Sequence, residues 1–269
     1  MKSHNQMARG ALAVTGAVFC AMVLNSSPAF ADCRAVGISN AALTTALQAA
    51  VVAGGGGLGN DMWATIVDRD GVVCQVAKSA GAGEQWPGSR VISAQKANTA
   101  NSFSLPAGAG GIPGLALSTA NLWAATQPGG SLFGLQFSNP VDTAVAYDGS
   151  AATWGTNRDN LKGEKIGGVN VFGGGLALYA EGGNLLGAVG VSGDTSCADH
   201  NIAWRVRDAL PDFGAEFVPA GVAPAGNDGI IYDVTFGPRN ASIVSAGGFG
   251  HPLCGFNEQA VAIAIGAGG

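Results

Sequence analysis

Gly187-Ala-Val-Gly-Val-Ser-Gly193 runs directly into Asp194-Thr-Ser-Cys-Ala-Asp-His-Asn-Ile-Ala-Trp204, and the pair of segments reads as a strand, a glycine turn and a helix. Upstream, Leu176-Ala-Leu-Tyr-Ala180 and Leu185 to Val191 flank the turn Glu181-Gly-Gly-Asn184. This hairpin is apolar on both faces, which places it in the middle of a sheet. Gly193 turns the chain, and a helix follows from about Ser196 to Leu210, stopped by Pro211 because proline cannot continue a helix. Further towards the N-terminus, Trp63-Ala-Thr-Ile-Val67 and Val72-Val-Cys-Gln-Val-Ala77 flank Asp68-Arg-Asp-Gly71, the pattern of a second hairpin with an Asp-Gly turn.

Two more helices fit around these strands. Ser39 caps an Ala, Leu and Val run from Ala41 to Ala53 that ends in Gly54 to Gly57, a polar start and a glycine stop. A phosphate cradle must follow a strand, so this glycine run reads as a helix end and linker. Pro87-Gly88-Ser89 introduces a helix from Arg90 to Phe103, with Ser89 as its expected cap. Its Val91, Ala94 and Ala97 to Thr99 form a narrow small-residue stripe suited to close packing on a sheet. Between Leu105 and Gly168 the pattern dissolves into Gly, Pro, Asn and Ser. A short helix is expected at Leu115 to Ala125, with short strands at Leu132 to Phe137 and Thr143 to Tyr147. Residues 211–269 are rich in glycine, with expected strands at Ile230 to Phe236 and Ala260 to Ile265.

Residues 1–31 read as a signal peptide: Lys2 and Arg9 precede an apolar run from Ala11 to Leu24, and Ala29-Phe30-Ala31 is a small-x-small cleavage site. No later segment supplies the roughly 20 apolar residues of a membrane span. The expected mature protein is periplasmic or secreted. Loss of Lys2 and Arg9 takes its net charge from −5 to −7, which argues against nucleic acid, whose binding rests on Lys and Arg. Cys20 leaves with the leader, and Cys33, Cys74, Cys197 and Cys254 remain. Four cysteines in an oxidising compartment imply two disulfides, with three possible pairings. Cys33–Cys74 and Cys197–Cys254 are favoured, tying the mature N-terminus to an early strand and the C-terminal tail to a late helix.

This order of elements is α+β, and its landmarks resemble the GlcG/HbpS-like family of haem-binding proteins (the DUF336 type). The segments that carry the resemblance are Ala64-Thr-Ile-Val-Asp-Arg-Asp-Gly71, Ile92-Ser-Ala-Gln-Lys-Ala-Asn-Thr-Ala100, and Gly173-Gly-Gly-Leu through Asn184-Leu-Leu-Gly-Ala-Val-Gly-Val-Ser-Gly193, with Asp199 in the helix that follows. They agree in order and spacing from about Leu43 to Leu210. The resemblance implies a profilin-like central antiparallel sheet flanked by helices, homo-oligomers, and haem as a non-covalent ligand. The chain departs from compact members in its long crossover at about 105–172 and in the extension at 211–269. The expected organisation is thus a domain over 32–210 with that insertion, and the extension packed on the same domain.

The mature chain has two histidines, in Cys197-x-x-His200 and His251-x-x-Cys254. Helical spacing puts Cys197, His200 and Trp204 on one face. Three readings stay open: a Cys197–Cys254 disulfide beside incidental histidines, a Cys2His2 zinc site, or an iron or haem ligand from His200 or His251 with Trp204 stacking on the ring. The disulfide and haem readings are compatible; the disulfide and the zinc site are not. Lys96 is a lone charge among small residues, either a snorkelling surface lysine or the contact for a propionate. Arg205 and Arg207 are expected to face solvent with Asp208, or to meet a propionate. Asp68 and Asp70 suit turn chemistry, and Asp199 suits the first turn of a helix. There is no Ser-His-Asp order, no nucleophile elbow and no Cys-x-x-Cys-His for covalent haem. The sequence thus points to a binder, carrier or sensor accessory for haem or a similar small planar ligand. The alternatives are a small-molecule enzyme with its site in the crossover, and a structural oligomer without ligand.

Overall fold

The computed structural model describes residues 33–81, 84–238 and 242–269; the expected leader and its cleavage site lie outside them. Four strands, β1 (Trp63–Asp68), β2 (Val73–Lys78), β3 (Gly175–Ala180) and β4 (Asn184–Ser192), form an antiparallel sheet in the order β2-β1-β4-β3. The two hairpins meet through β1 and β4, with Trp63 opposite Ser192 and Thr65 opposite Gly190. Every residue of β1 is buried, because helices cover both faces of the sheet. That is why the strand shows no apolar–polar alternation.

Among the described residues, six α-helices precede β3. They are α1 (Cys33–Val36), α2 (Asn40–Ala53), α3 (Ser89–Phe103), α4 (Trp123–Thr126), α5 (Leu135–Ser138) and α6 (Thr143–Ala146). After β4 comes α7 (Ser196–Ala209). Ala64, Ile66, Val189 and Val191 share a core with Leu43 and Leu47 of α2 and with Ile202 and Val206 of α7. On the opposite face Trp63, Val67 and Ala188 pack against Val91, Ala94, Ala97 and Ala100 of α3, the small-residue stripe. Thr65 and Ser93 share a buried hydrogen bond of 2.7 Å beneath it.

Gly190 allows this close approach. A Cβ at that position would fall against the Ser93 carbonyl oxygen and the Ala97 nitrogen. Both are helix backbone and cannot turn aside. Gly190→Ala is therefore expected to cost about 1–3 kcal/mol, the scale of core overpacking. Urea unfolding measures this, and a change below about 0.5 kcal/mol would show that α3 can lift off β4 freely.

Ser39 caps α2 as expected, accepting a hydrogen bond from the Ala42 nitrogen at 3.1 Å. The cap of α3 is corrected by one residue: Gly88 holds that position with no side-chain bond, and Ser89 is already helical. The crossover and the tail depart further from expectation. Leu132 to Phe137 is not a strand, because Gly134 has φ 92° and starts α5. Thr143 to Tyr147 is not one either: the Asp142 carboxylate accepts from the Ala144 and Val145 nitrogens and nucleates α6. Leu115 to Ala125 is helical only from Thr119 onward. Of the expected strand Ile230 to Phe236, Thr235–Phe236 (β5) pairs with Ile243–Val244 (β6), and Ile230 makes a single bridge to Gly268. Ala260 to Ile265 belongs to helix α8 (Glu258–Ile265), which ends on Gly266 at φ 74°. Short apolar runs of this kind fit either period, and the end signal decides.

Two disulfides fasten the termini: Cys33 is bonded to Cys74 and Cys197 to Cys254. Two buried Arg–Asp pairs fasten the additions. Arg90 of α3 holds Asp159 of the crossover at 2.5 and 3.0 Å. Arg207 of α7 holds Asp228 of the extension at 2.7 and 3.0 Å. Ile230, Ala262 and Ala267 of the extension join the same core as α2 and α7.

Candidate functional site

Thr195 opens α7, its hydroxyl accepting from the Ala198 nitrogen. The helix then presents Cys197, His200 and Trp204 along one side. The His200 and Trp204 rings lie 6.2 Å apart. His251 arrives from the extension, its Nδ1 3.8 Å from Cys197 Sγ and its ring 5.8 Å from that of Trp123. Both histidines are buried. His200 Nε2 donates to the Ala267 carbonyl at 3.1 Å and His251 Nδ1 to the Pro252 carbonyl at 2.7 Å. These donor assignments follow from the acceptor-only carbonyls. His200 Nδ1 and His251 Nε2 are left without a partner. Burial lowers both imidazoles to about 4, so each is neutral and keeps a free lone pair at physiological pH.

Lys96 is neither a surface lysine nor free to meet an incoming carboxylate. Its ammonium is buried, 2.6 Å from Asp199 and 3.1 Å from the Val191 carbonyl. Asp199 also accepts from the Asp194 nitrogen, so it does more than favour a helix start: it ties α3 to the turn at Gly193, while Lys96 reaches β4. Burial pushes the Asp199 carboxyl up to about 6 and the Lys96 ammonium down, and their contact opposes both shifts. Arg207 does not face solvent either. It is buried against Asp228, with its guanidinium 4.4 Å from the centre of the Trp204 ring. Asp68 accepts from the Asp70 and Val72 nitrogens at 3.0 Å, which is the turn chemistry expected of it.

The turn just after the glycine run is held by a side chain: Asp194 accepts from the Leu58, Gly59 and Asn60 nitrogens at 2.7 to 3.1 Å. Sequence reasoning missed Asp194, Asp159 and Asp228. The partners of Arg90 and Arg207 lie 69 and 21 residues away, and no local pattern announces such pairs.

Two openings flank this assembly. A groove of about 330 Å³ lies between α2, α7 and α8, with Trp204 in its floor, Ala46, Ala50 and Ile265 in its walls, and Arg205 and Asp208 at its rim. Arg205 Nε has no partner there. A second opening of about 520 Å³ lies between residues 124–131 of the crossover and 242–248 of the extension. Among the described residues, its lining is small, apolar or uncharged polar side chains such as Ala124, Gln127 and Ser245. With Cys197 and Cys254 bonded to each other, neither is a thiolate ligand, and the Cys2His2 zinc reading fails for this oxidation state.

Residues 38–207 match the family model described as haem-degrading protein, HbpS-like. The chain belongs to the HbpS-like family. No curated protein matches it by sequence. Among solved structures, the HbpS-like core is similar to the PduOC–haem complex, at 22% identity and a TM-score of 0.42 over 64% of this chain and 91% of that one. It is also similar to Klebsiella pneumoniae protein ORFY, at 25% identity and a TM-score of 0.41 over 64% and 89%. HbpS itself is similar at 20% identity and a TM-score of 0.36 over 64% and 89%. The matched span takes in the sheet, α2, α3 and almost all of α7, and leaves the extension outside.

The HbpS-like core contributes His200, Trp204 and Arg205; His251 comes from the added tail. Tested against haem, the groove fits in its apolar and charged parts: an indole floors a channel of small apolar side chains, and an arginine stands at its rim. Neither imidazole lines it, and both rings are buried. His200 lies one helical turn from Trp204, beneath the Ala267 carbonyl rather than in the groove.

Proposed function

We propose that the protein is an exported binder of haem, or of a comparable planar apolar anion, acting as a carrier or sensor accessory. Membership of a family described by its action on haem is the observation that carries this reading. The groove over Trp204 supports it. Ala46, Ala50 and Ile265 would cover an apolar ring, and Arg205, whose side chain lines the rim, would meet a carboxylate as a charge-assisted donor. The ligand would supply its own iron chemistry. The chain's part is to bury the ring, hold its acid group and keep an imidazole neutral nearby at His200. The two disulfides fit an oxidising compartment, and no helix among the described residues is long and apolar enough to cross a membrane.

Haemin titration of the non-reduced protein tests this. A saturable shift of the Soret band is expected. Ala49→Trp, which fills the groove from an exposed position of α2, should abolish it. Arg205→Ala should weaken binding about tenfold, the loss of one charge-assisted contact worth about 1.4 kcal/mol. His200→Ala should alter the band's position if the iron reaches that imidazole. A featureless wild-type titration would sink the reading, and full binding by Ala49→Trp would move the ligand out of this groove.

A further inference from the structure

Where α7 meets the extension, three soft ligands are gathered that the haem reading does not use. Cys197, His251 and Cys254 each offer a ligand atom within 4.8 Å of the others. His251 is buried, and Cys254 is partly exposed on the surface segment that carries Leu253 and Phe256. Here the two sulfurs are bonded to each other. Opened, they become the thiolate pair of a closed-shell metal site.

We propose that reduction of Cys197–Cys254 converts this staple into a binding site for a thiophilic divalent cation of the zinc type, held by Cys197, Cys254 and His251. A dithiol reductant supplies the two electrons. One of its thiolates attacks the more accessible Cys254 Sγ, and Cys197 leaves as a thiolate. The second thiol of the reductant then displaces Cys254 and closes a disulfide within the reductant. The protein gains two thiols. On binding, the cation takes both as thiolates and releases two protons to solvent.

Three features prepare the site. With metal–sulfur and metal–nitrogen bonds of about 2.3 and 2.0 Å, neighbouring S and N ligands of a tetrahedral ion stand roughly 3.5 Å apart; Cys197 Sγ and His251 Nδ1 are already 3.8 Å apart. Cys254 Sγ accepts from the Cys197 nitrogen at 3.3 Å in the first turn of the 14-residue helix α7, a position that favours a thiolate. His251 Nδ1 now carries the ring hydrogen, given to Pro252. Moving that hydrogen to the unpartnered Nε2 gives up the bond to Pro252 and frees Nδ1 for the metal, whose bond replaces it. The cation would restore the tie between extension and α7 that reduction removes. This inference stands apart from the haem reading, since the groove over Trp204 shares no ligand with it.

The experiment is zinc binding, by competition with a chromogenic chelator, on protein purified with both disulfides intact and then on the same protein reduced by a phosphine, since dithiols bind zinc themselves. One further zinc ion per chain is expected after reduction. Cys33, Cys74 and Asp68 form a second cluster, so the Cys197→Ser, Cys254→Ser double variant is the control: it should lose that ion and keep any held at Cys33 and Cys74. His251→Gln should weaken binding by more than about tenfold, the scale on which even outer-shell partners act. Zinc should also restore the near-ultraviolet dichroism of reduced wild type. Equal binding by wild type and the double serine variant overturns the proposal. So does binding that His251→Gln leaves unchanged, or a reduced chain that zinc does not refold.

Discussion

Asp228→Ala should destabilise the protein by about 3–5 kcal/mol, the cost of leaving a buried charge without its partner. Arg207 is fully buried, and Asp228 meets it with both oxygens. The guanidinium has one further acceptor, the Ala177 carbonyl at 3.4 Å, and stacks on Trp204; neither neutralises it. Urea unfolding at pH 7.5 measures the loss. Because Asp228 belongs to the extension, the variant should also expose residues 211–269 to proteolysis before the sheet unfolds. Replacing both partners, as Arg207→Met with Asp228→Leu, should recover most of the stability, since a well-packed apolar pair is often as good as a buried ion pair. A loss below about 1 kcal/mol for Asp228→Ala would mean that water reaches Arg207 and that the extension is not clamped to α7.

Acid should unfold the protein well before its carboxylates titrate in bulk. His200 and His251 stay neutral in the fold down to about pH 4, whereas in the unfolded chain each takes a proton near 6.5. A base whose folded pKa is depressed contributes stability that is complete above the unfolded value and is lost as pH falls towards the folded one. The two imidazoles thus give the unfolded state up to two extra protons, but Asp199, raised to about 6 by burial, takes a proton in the fold over the same range and offsets one of them. The net difference is about one proton, so the loss is roughly 1.4 kcal/mol per pH unit between about pH 6.5 and 5 and tapers towards pH 4. Urea midpoints at pH 7.5, 6.5, 5.5 and 4.5 test this; stability that holds level or rises on acidification would contradict the burial of both rings.

The sheet and its main helices were legible because their signals are local. Asp-Gly and Gly-Gly turns mark the hairpins, Ser39 and Gly54 bound α2, and Pro211 stops α7 soon after its last turn. The small-residue face of α3 even announces the close approach of helix and sheet, although the part played by Gly190 emerged only in the fold. Where the chain offers only short apolar runs between glycines, in the crossover and the tail, the same reasoning put strands where helical turns stand. Those segments take their conformation from caps such as Asp142 and from contacts with α7 and α3.

By itself, then, the sequence determined an α+β chain with an antiparallel sheet, four cysteines suited to two bridges, and a helix that aligns Cys197, His200 and Trp204. Only the tertiary structure decided what surrounds that helix. It buried Lys96 and Arg207 against Asp199 and Asp228, set Asp194 against the turn after the glycine run, and folded the extension over both imidazoles. The physical reason is the range of the forces involved. Turn and cap preferences act over three or four residues, whereas a buried charge must be neutralised by whichever carboxylate the finished fold brings beside it, however far away in sequence.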